Sequence, residues 1–387
     1  MLLPWLTTSS LAAFGAAYIT GLLKLAKTIK IGTIMINELK RRQVPDFFGD
    51  SLSSIEKWEA YKPSLFSLIL DEEYGVFEGL PKPTIKIEPQ GVNFAGKAHW
   101  ESVYFTFENE NGSHTVKTDL ILPTEITPAP MFLEIGFDRE IPNKYLPVEE
   151  IIDNGFGIFY FCHKDASSDT GDFSDGLAKL LPDGGIKYGK LALWSYMASV
   201  CMDYLETRQE VDKENVAIIG HSRLGKTALL TSARDPRFKL TCVNNSGCCG
   251  ASLSRGKNEQ NENIKYITDV FPFWFKKNFL KYVDNESSLP FDQHMLLALC
   301  APRNVIIGGA YEDFWADNEG QFLSPFLASP VWELYGKKGL VGATKLPEIG
   351  DNLLEGELGF YLRSGKHFLS RYDWNMYIAK FKEILKR

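Results

Sequence analysis

Six short runs between residues 114 and 311, several apolar at nearly every position, constrain this chain more than any other feature. They are HTVKTDLILP (114–123), PMFLEIGF (130–137), GFGIFYFCH (155–163), NVAIIGHS (215–222), FKLTCVNNSG (238–247) and RNVIIGGAY (303–311). A strand that is apolar on both faces has to be covered on both, and a mostly parallel sheet with crossover helices does this. The intervening segments supply the helices. YGKLALWSYMASVCMDYLETR (188–208) has apolar residues at helical spacing, LGKTALLTSA (224–233) follows the fourth run, and FDQHMLLALCA (291–301) stops before Pro302. The reading is an α/β chain with a mostly parallel central sheet flanked by helices, a three-layer sandwich. Two stretches break the alternation, the Asp/Gly-rich 165–187 and 254–290; both read as insertions on the loop side of the sheet, where binding surfaces are built.

These runs place an α/β domain over 91–387, preceded by a mixed helical and irregular wrapping segment at 36–90 and an apolar segment at 1–35. With 44% hydrophobic, 13% aromatic and 24% charged residues, the composition of the 387 residues excludes a disordered chain. The net charge of −7, with no long basic block beyond the 40–42 cluster, argues against nucleic acid as a partner, because phosphate binding needs a concentrated positive face. Cys162, Cys201, Cys242, Cys248, Cys249 and Cys300 sit mostly in apolar stretches without zinc spacing, so they read as buried thiols in a reducing compartment, with a 242–300 bridge the alternative. Residues 2–23 carry no charge and precede several lysines and arginines. Pro4, the early serines and threonines and the missing positive n-region favour a packed or peripheral helix over a membrane anchor or secretion signal. Cytoplasmic localisation is the expectation that follows.

The fourth run ends in a sharp corner, Gly220-His221-Ser222-Arg223-Leu224-Gly225-Lys226, and then becomes helical. A strand, Gly-x-Ser and a helix are the parts of a nucleophile elbow, whose strained turn needs small neighbours and thrusts a hydroxyl out at the strand end. Here Leu224 stands two places after the serine and the glycine comes one place late, at Gly225. A helix N-cap serine is the competing reading.

With its neighbours included, the corner resembles the glucuronoyl esterases, carbohydrate esterase family fifteen of the α/β-hydrolase superfamily, whose signature is Gly-Cys/His-Ser-Arg-x-Gly. The resemblance extends through 212–256, FPFWF (271–275), HMLLALCAPRNVII (294–307) and EDFWADNEGQF (312–322), over roughly residues 90–387. It implies the α/β-hydrolase fold and a serine nucleophile at Ser222, with Arg223 at the oxyanion hole through its backbone N–H and its cation. A serine needs a base, and the superfamily order is Ser, acid, His. His99, His114 and His163 precede the serine, His221 adjoins it and points elsewhere, and His294 heads an apolar helix. His367 remains, by elimination and by resemblance.

The family places the acid in one of two loops. The first holds Asn244 and Asn245 and so no carboxylate; the second holds Glu312, Asp313 and Asp317, of which Asp313 best matches the family's Asp-x-Trp and Glu312 is the alternative. Resemblance further assigns Lys226, Glu259 and Trp315 to hydroxyls of the sugar, and leaves Trp274 as core or wall. The implied activity is hydrolysis of esters of 4-O-methyl-glucuronic or glucuronic acid, on a glucuronic acid ester or glucuronoxylan fragment, with no metal and no cofactor. The alternatives are an acetyl xylan esterase or other carbohydrate esterase of the same fold, and an inactive carbohydrate-binding relative.

Overall fold

The alternation hidden inside the apolar runs decides the layers. In a strand successive side chains point to opposite faces, and in β4 (Ala129–Gly136) Met131, Leu133 and Ile135 join one hydrophobic core while Phe132 joins another. Likewise Phe159 and Phe161 part from Ile158 and Tyr160 in β5 (Gly157–Cys162), and Val216 and Ile218 from Ala217 and Ile219 in β6 (Val211–His221). The first core is closed by the helices Ile55–Ile69, Lys190–Leu205, Arg223–Arg234, Gln293–Ala298 and Asn318–Leu334, and the second by Val148–Asp153 and Arg371–Leu385. Each large apolar side chain fully buried this way contributes about 1.5–3 kcal/mol. The result is the three-layer α/β-hydrolase arrangement.

These features come from a computed structural model that describes residues 32–46 and 48–386. Most of the apolar 1–35 segment, and with it the 2–23 stretch, lies outside the described residues, among which no helix is long and apolar enough to cross a membrane. The ten-stranded sheet has the order β1-β2-β3-β5-β4-β6-β7-β8-β10-β9. Strands β5, β4, β6, β7 (Leu240–Asn244), β8 (Asn304–Ala310) and β10 (Leu358–Arg363) run parallel. β1 (Thr84–Asn93), β2 (Ala98–Asn109) and β3 (Gly112–Pro123) add an antiparallel meander on one side, and the short β9 (Asn352–Leu353) edges the other. The boundary expected at 91 is corrected here: β1 begins at Thr84 and pairs with β2 across it, so the sheet starts inside the 36–90 segment. That segment is also packed into the first core through Trp58, Leu65 and Ile69.

The parallel strands end in step. Gly136 lies opposite Cys162, His221 opposite Asn244, Asn244 opposite Gly308, and Ala310 opposite Arg363, so the following loops open on one edge of the sheet. One buried ion cluster ties the early helix Thr33–Arg42 to that edge. Arg42 makes a two-pronged contact with Asp317, 2.9 Å on each prong, and Lys257 reaches the same carboxylate at 2.7 Å. The two cations hold the Asp317 carboxyl well below its ordinary range even though burial pushes the other way. Asp317 also caps the helix Asn318–Leu334, so it fixes the start of that helix. All six cysteines are buried and none is in a disulfide.

Candidate active site

Ser222 follows β6 directly and has φ 57° and ψ −127°, a backbone conformation that non-glycine residues avoid. Its side chain makes no capping bond to the helix Arg223–Arg234, which rules out the N-cap alternative. The strain is held from both sides: the Ser222 N–H donates to the Asn244 carbonyl at 2.9 Å, and the Ser222 carbonyl accepts from the N–H groups of Gly225 and Lys226. The small residues sit where the turn is tightest. A Cβ on Gly220 would lie 2.0 Å from the Leu224 carbonyl oxygen, and one on Gly225 would lie 3.1 Å from Asn244 and Gly220 oxygens. The glycine that comes one place late therefore does real steric duty against β7, while Leu224 turns into the core and needs no small side chain.

His367 and Asp313 meet as expected. The Nδ1 of His367 lies 2.6 Å from Asp313 Oδ2, with the imidazole half-exposed and the carboxylate buried. The other oxygen of Asp313 accepts from the Ala316 N–H at 3.4 Å. Glu312, the alternative acid, is exposed and meets the histidine loop only through its backbone N–H, which donates to the Gly365 carbonyl. Both residues lie just past β8, in a turn closed by the Asp313 N–H on the Ala310 carbonyl at 3.0 Å, and that turn leaves the Asp313 side chain buried and the Glu312 side chain exposed. The His367 ring is 4.4 Å from that of His221, the residue before the serine, so the imidazole lies beside the elbow. Burial and then the neighbouring His367 push the His221 pKa well below its ordinary value; this ring stays neutral and bonds Asn244 at 2.7 Å. His294 is fully buried and is pushed down to about 4 by that burial, in keeping with a structural place.

A second histidine-loop support was not foreseen. The buried Arg363, at the end of β10, pairs with Asp373 and donates to the carbonyls of Ser364 and Phe368 at 2.8 and 2.5 Å, fixing both flanks of His367. Asp373 in turn closes a capping box with Ser370 at the head of the last helix.

The two cations after the serine have different surroundings. Lys226 is buried and its ammonium is committed to the carbonyls of Ser246 (2.6 Å) and Cys248 (2.5 Å) and to Glu262 (2.9 Å). The expected carboxylate was Glu259. Glu259 is exposed in a turn, whereas the carboxylate buried beside Lys226 is Glu262, whose N–H donates to the Trp315 carbonyl at 2.8 Å. Trp315 itself is partly exposed, edge-on to the exposed Tyr266 at 4.3 Å, and so lines the open side of this corner. Arg223 meets Asp169 from the 165–187 insertion, and its guanidinium lies over the ring of Trp274 from the 254–290 insertion at 4.6 Å. Asp169 was not foreseen. Its only signal in the sequence is its place in an Asp-rich insertion at the loop edge.

Residues 105–336 match the sequence profile described as glucuronyl esterase, fungi. A carbohydrate esterase, MZ0003, from an unknown prokaryotic organism is 42% identical over 238 residues; the match takes in 60% of this chain and 54% of that protein, so the chain spans about half the length of that relative. A 4-O-methyl-glucuronoyl methylesterase from Schizophyllum commune is 27% identical over 76% of this chain and 74% of its own. Among solved structures, a glucuronoyl esterase from Solibacter usitatus superposes with a TM-score of 0.77 at 31% identity, covering 85% of this chain and 93% of that one.

Proposed function

Because this chain belongs to the glucuronoyl esterase family, we propose that it hydrolyses esters of glucuronic or 4-O-methyl-glucuronic acid through an acyl-enzyme on Ser222. The observation that carries this reading is the 2.6 Å contact between His367 Nδ1 and Asp313 beside the strained serine elbow. With Nδ1–H given to the carboxylate, Nε2 is the basic nitrogen. In the proposed sequence, Ser222 Oγ attacks the ester carbonyl as Nε2 takes its proton, and the imidazolium that forms is stabilised by Asp313. The tetrahedral oxyanion is met by the Arg223 N–H and guanidinium. Collapse breaks the bond to the alcohol, which leaves with the proton from His367; a water then repeats the cycle and frees the uronic acid.

Substrate choice rests on the corner formed by Glu262, Lys226 and Trp315. With three bonds already made, the ammonium of Lys226 has to trade one of them to reach a sugar hydroxyl, so Glu262 as acceptor and the Trp315 indole as donor are the readier partners for a polyol. The test is the ratio of kcat/KM for methyl glucuronate and p-nitrophenyl acetate. The proposal expects the uronate ester to be preferred by at least about tenfold, a difference of about 1.4 kcal/mol in transition-state binding. A preference for the acetyl ester would move the chain to the acetyl esterases of this fold.

A further inference from the structure

An arginine beside an oxyanion is useful only if its fork is already in place when charge develops, because a long free side chain has to give up its rotamer entropy to be held there. Two segments distant in sequence converge to fix this one. Asp169 accepts from Arg223 Nη1 with one oxygen and from the Trp274 indole N–H with the other, at 2.7 Å, while the guanidinium lies over the rings of Trp274 and Phe271. Those two rings are themselves stacked at 4.0 Å, 2° from parallel. The loop that carries Asp169 is pinned in turn: Ser167 and Ser168 both donate to Asp175, and the buried Lys190 donates to the Asp172 carbonyl at 2.6 Å. Burial would raise the Asp169 pKa, but bonds from His163 and Trp274 and the charge of Arg223 hold it at about 2, so it is a fixed anion near neutral pH. The remaining feature is on the arginine: its Nε is buried with no hydrogen-bond partner among the described residues.

We propose that Asp169 is a positioning residue that, with Trp274, clamps the Arg223 guanidinium beside Ser222 and leaves its Nε–H for the reacting ester. The inference rests on the reading of Arg223 as the oxyanion's cation. A partly buried ion pair adds little net stability, so the effect of this one lies in geometry. It also gives the two insertions a shared purpose, since each supplies one wall of the clamp to a residue on the elbow helix.

The test is a double-mutant cycle measured on the full chain with a uronate ester, alongside thermal melts of every variant. Asp169→Asn should lower kcat about tenfold to a hundredfold with KM within about twofold. Asp169→Glu should recover part of the loss, and Trp274→Phe, which keeps a ring but lacks the indole N–H, should lose less. In an Arg223→Ala background, Asp169→Asn should cost nothing further. Equal losses in both backgrounds, or an unchanged kcat in Asp169→Asn, overturn the clamp. If Asp169→Asn fails to fold, Trp274→Phe carries the same cycle. An Arg223→Ala enzyme with wild-type kcat overturns both the clamp and the role of Arg223, while leaving the esterase reading to be judged on Ser222→Ala.

Discussion

Arg223 and Lys226 stand one helical turn apart after the same serine, and each is paired with a carboxylate, yet they are built for different work. Lys226 is buried and spends its three donors on two carbonyls and Glu262. Arg223 is partly exposed, braced by a carboxylate and an aromatic face, and keeps an N–H without a partner among the described residues. Bond saturation and burial, more than charge, separate the two: every donor of Lys226 is already committed, whereas Arg223 keeps one to offer.

The comparison breaks most sharply at Arg223. Arg223→Ala should cost about a hundredfold to a thousandfold in kcat, the range for losing a principal oxyanion donor, with a melting temperature close to that of the wild type. Arg223→Lys should not restore it, because an ammonium cannot bond Asp169 and offer a second donor in the same fixed plane. A wild-type rate in either variant would place Arg223 with the structural cations.

Lys226→Met should show the opposite signature. It leaves Glu262 buried without its cation and should cost about 3 kcal/mol of stability, seen as a lower denaturation midpoint. Lys226→Met/Glu262→Gln should recover part of that loss. If Lys226→Met melts as the wild type does and merely raises KM for the sugar ester, the lysine is a substrate contact and the contrast drawn above is wrong.

Smaller still is the difference between two glutamates three residues apart. Glu262→Gln should raise KM for the uronate ester severalfold, because a buried acceptor in the sugar corner changes its hydrogen bonding. Glu259→Gln, at an exposed turn, should stay within about twofold of the wild type, as changes at such positions usually do. The reverse order would mark Glu259 as the sugar contact.

The residues expected as nucleophile, base and acid lie within four residues of the ends of β6, β10 and β8, and parallel strands deliver their following residues to one edge, although it is elimination and resemblance that single out His367. Ser222 needed the strand-to-helix corner together with its Gly-His-Ser-Arg-x-Gly neighbours, since Gly220 and the corner alone left the N-cap reading open. Asp313 needed the family's Asp-x-Trp, since sequence position alone does not separate it from Glu312; the structure adds that one is buried against His367 and the other exposed. What escaped were pairings between distant loops: Asp169 with Trp274 across 105 residues, and Arg42 with Asp317 across 275. Neither loop has a period that tells which carboxylate faces inward, and for the same reason Glu262 beside Lys226 went unnoticed. β1 escaped for a different reason. It is exposed along most of its length and has no buried face to impose a pattern, so its strand state comes from pairing with β2.

The account's central claim, that Ser222 is a nucleophile activated by His367 and Asp313, is tested most directly by the rate at which a fluorophosphonate labels the protein, with the modified residue identified by mass spectrometry. The claim predicts a single adduct on Ser222, formed at least about a hundredfold more slowly in Asp313→Asn and at the wild-type rate in Glu312→Gln. An adduct on another residue, or equal labelling rates in the wild type and Asp313→Asn, would contradict it.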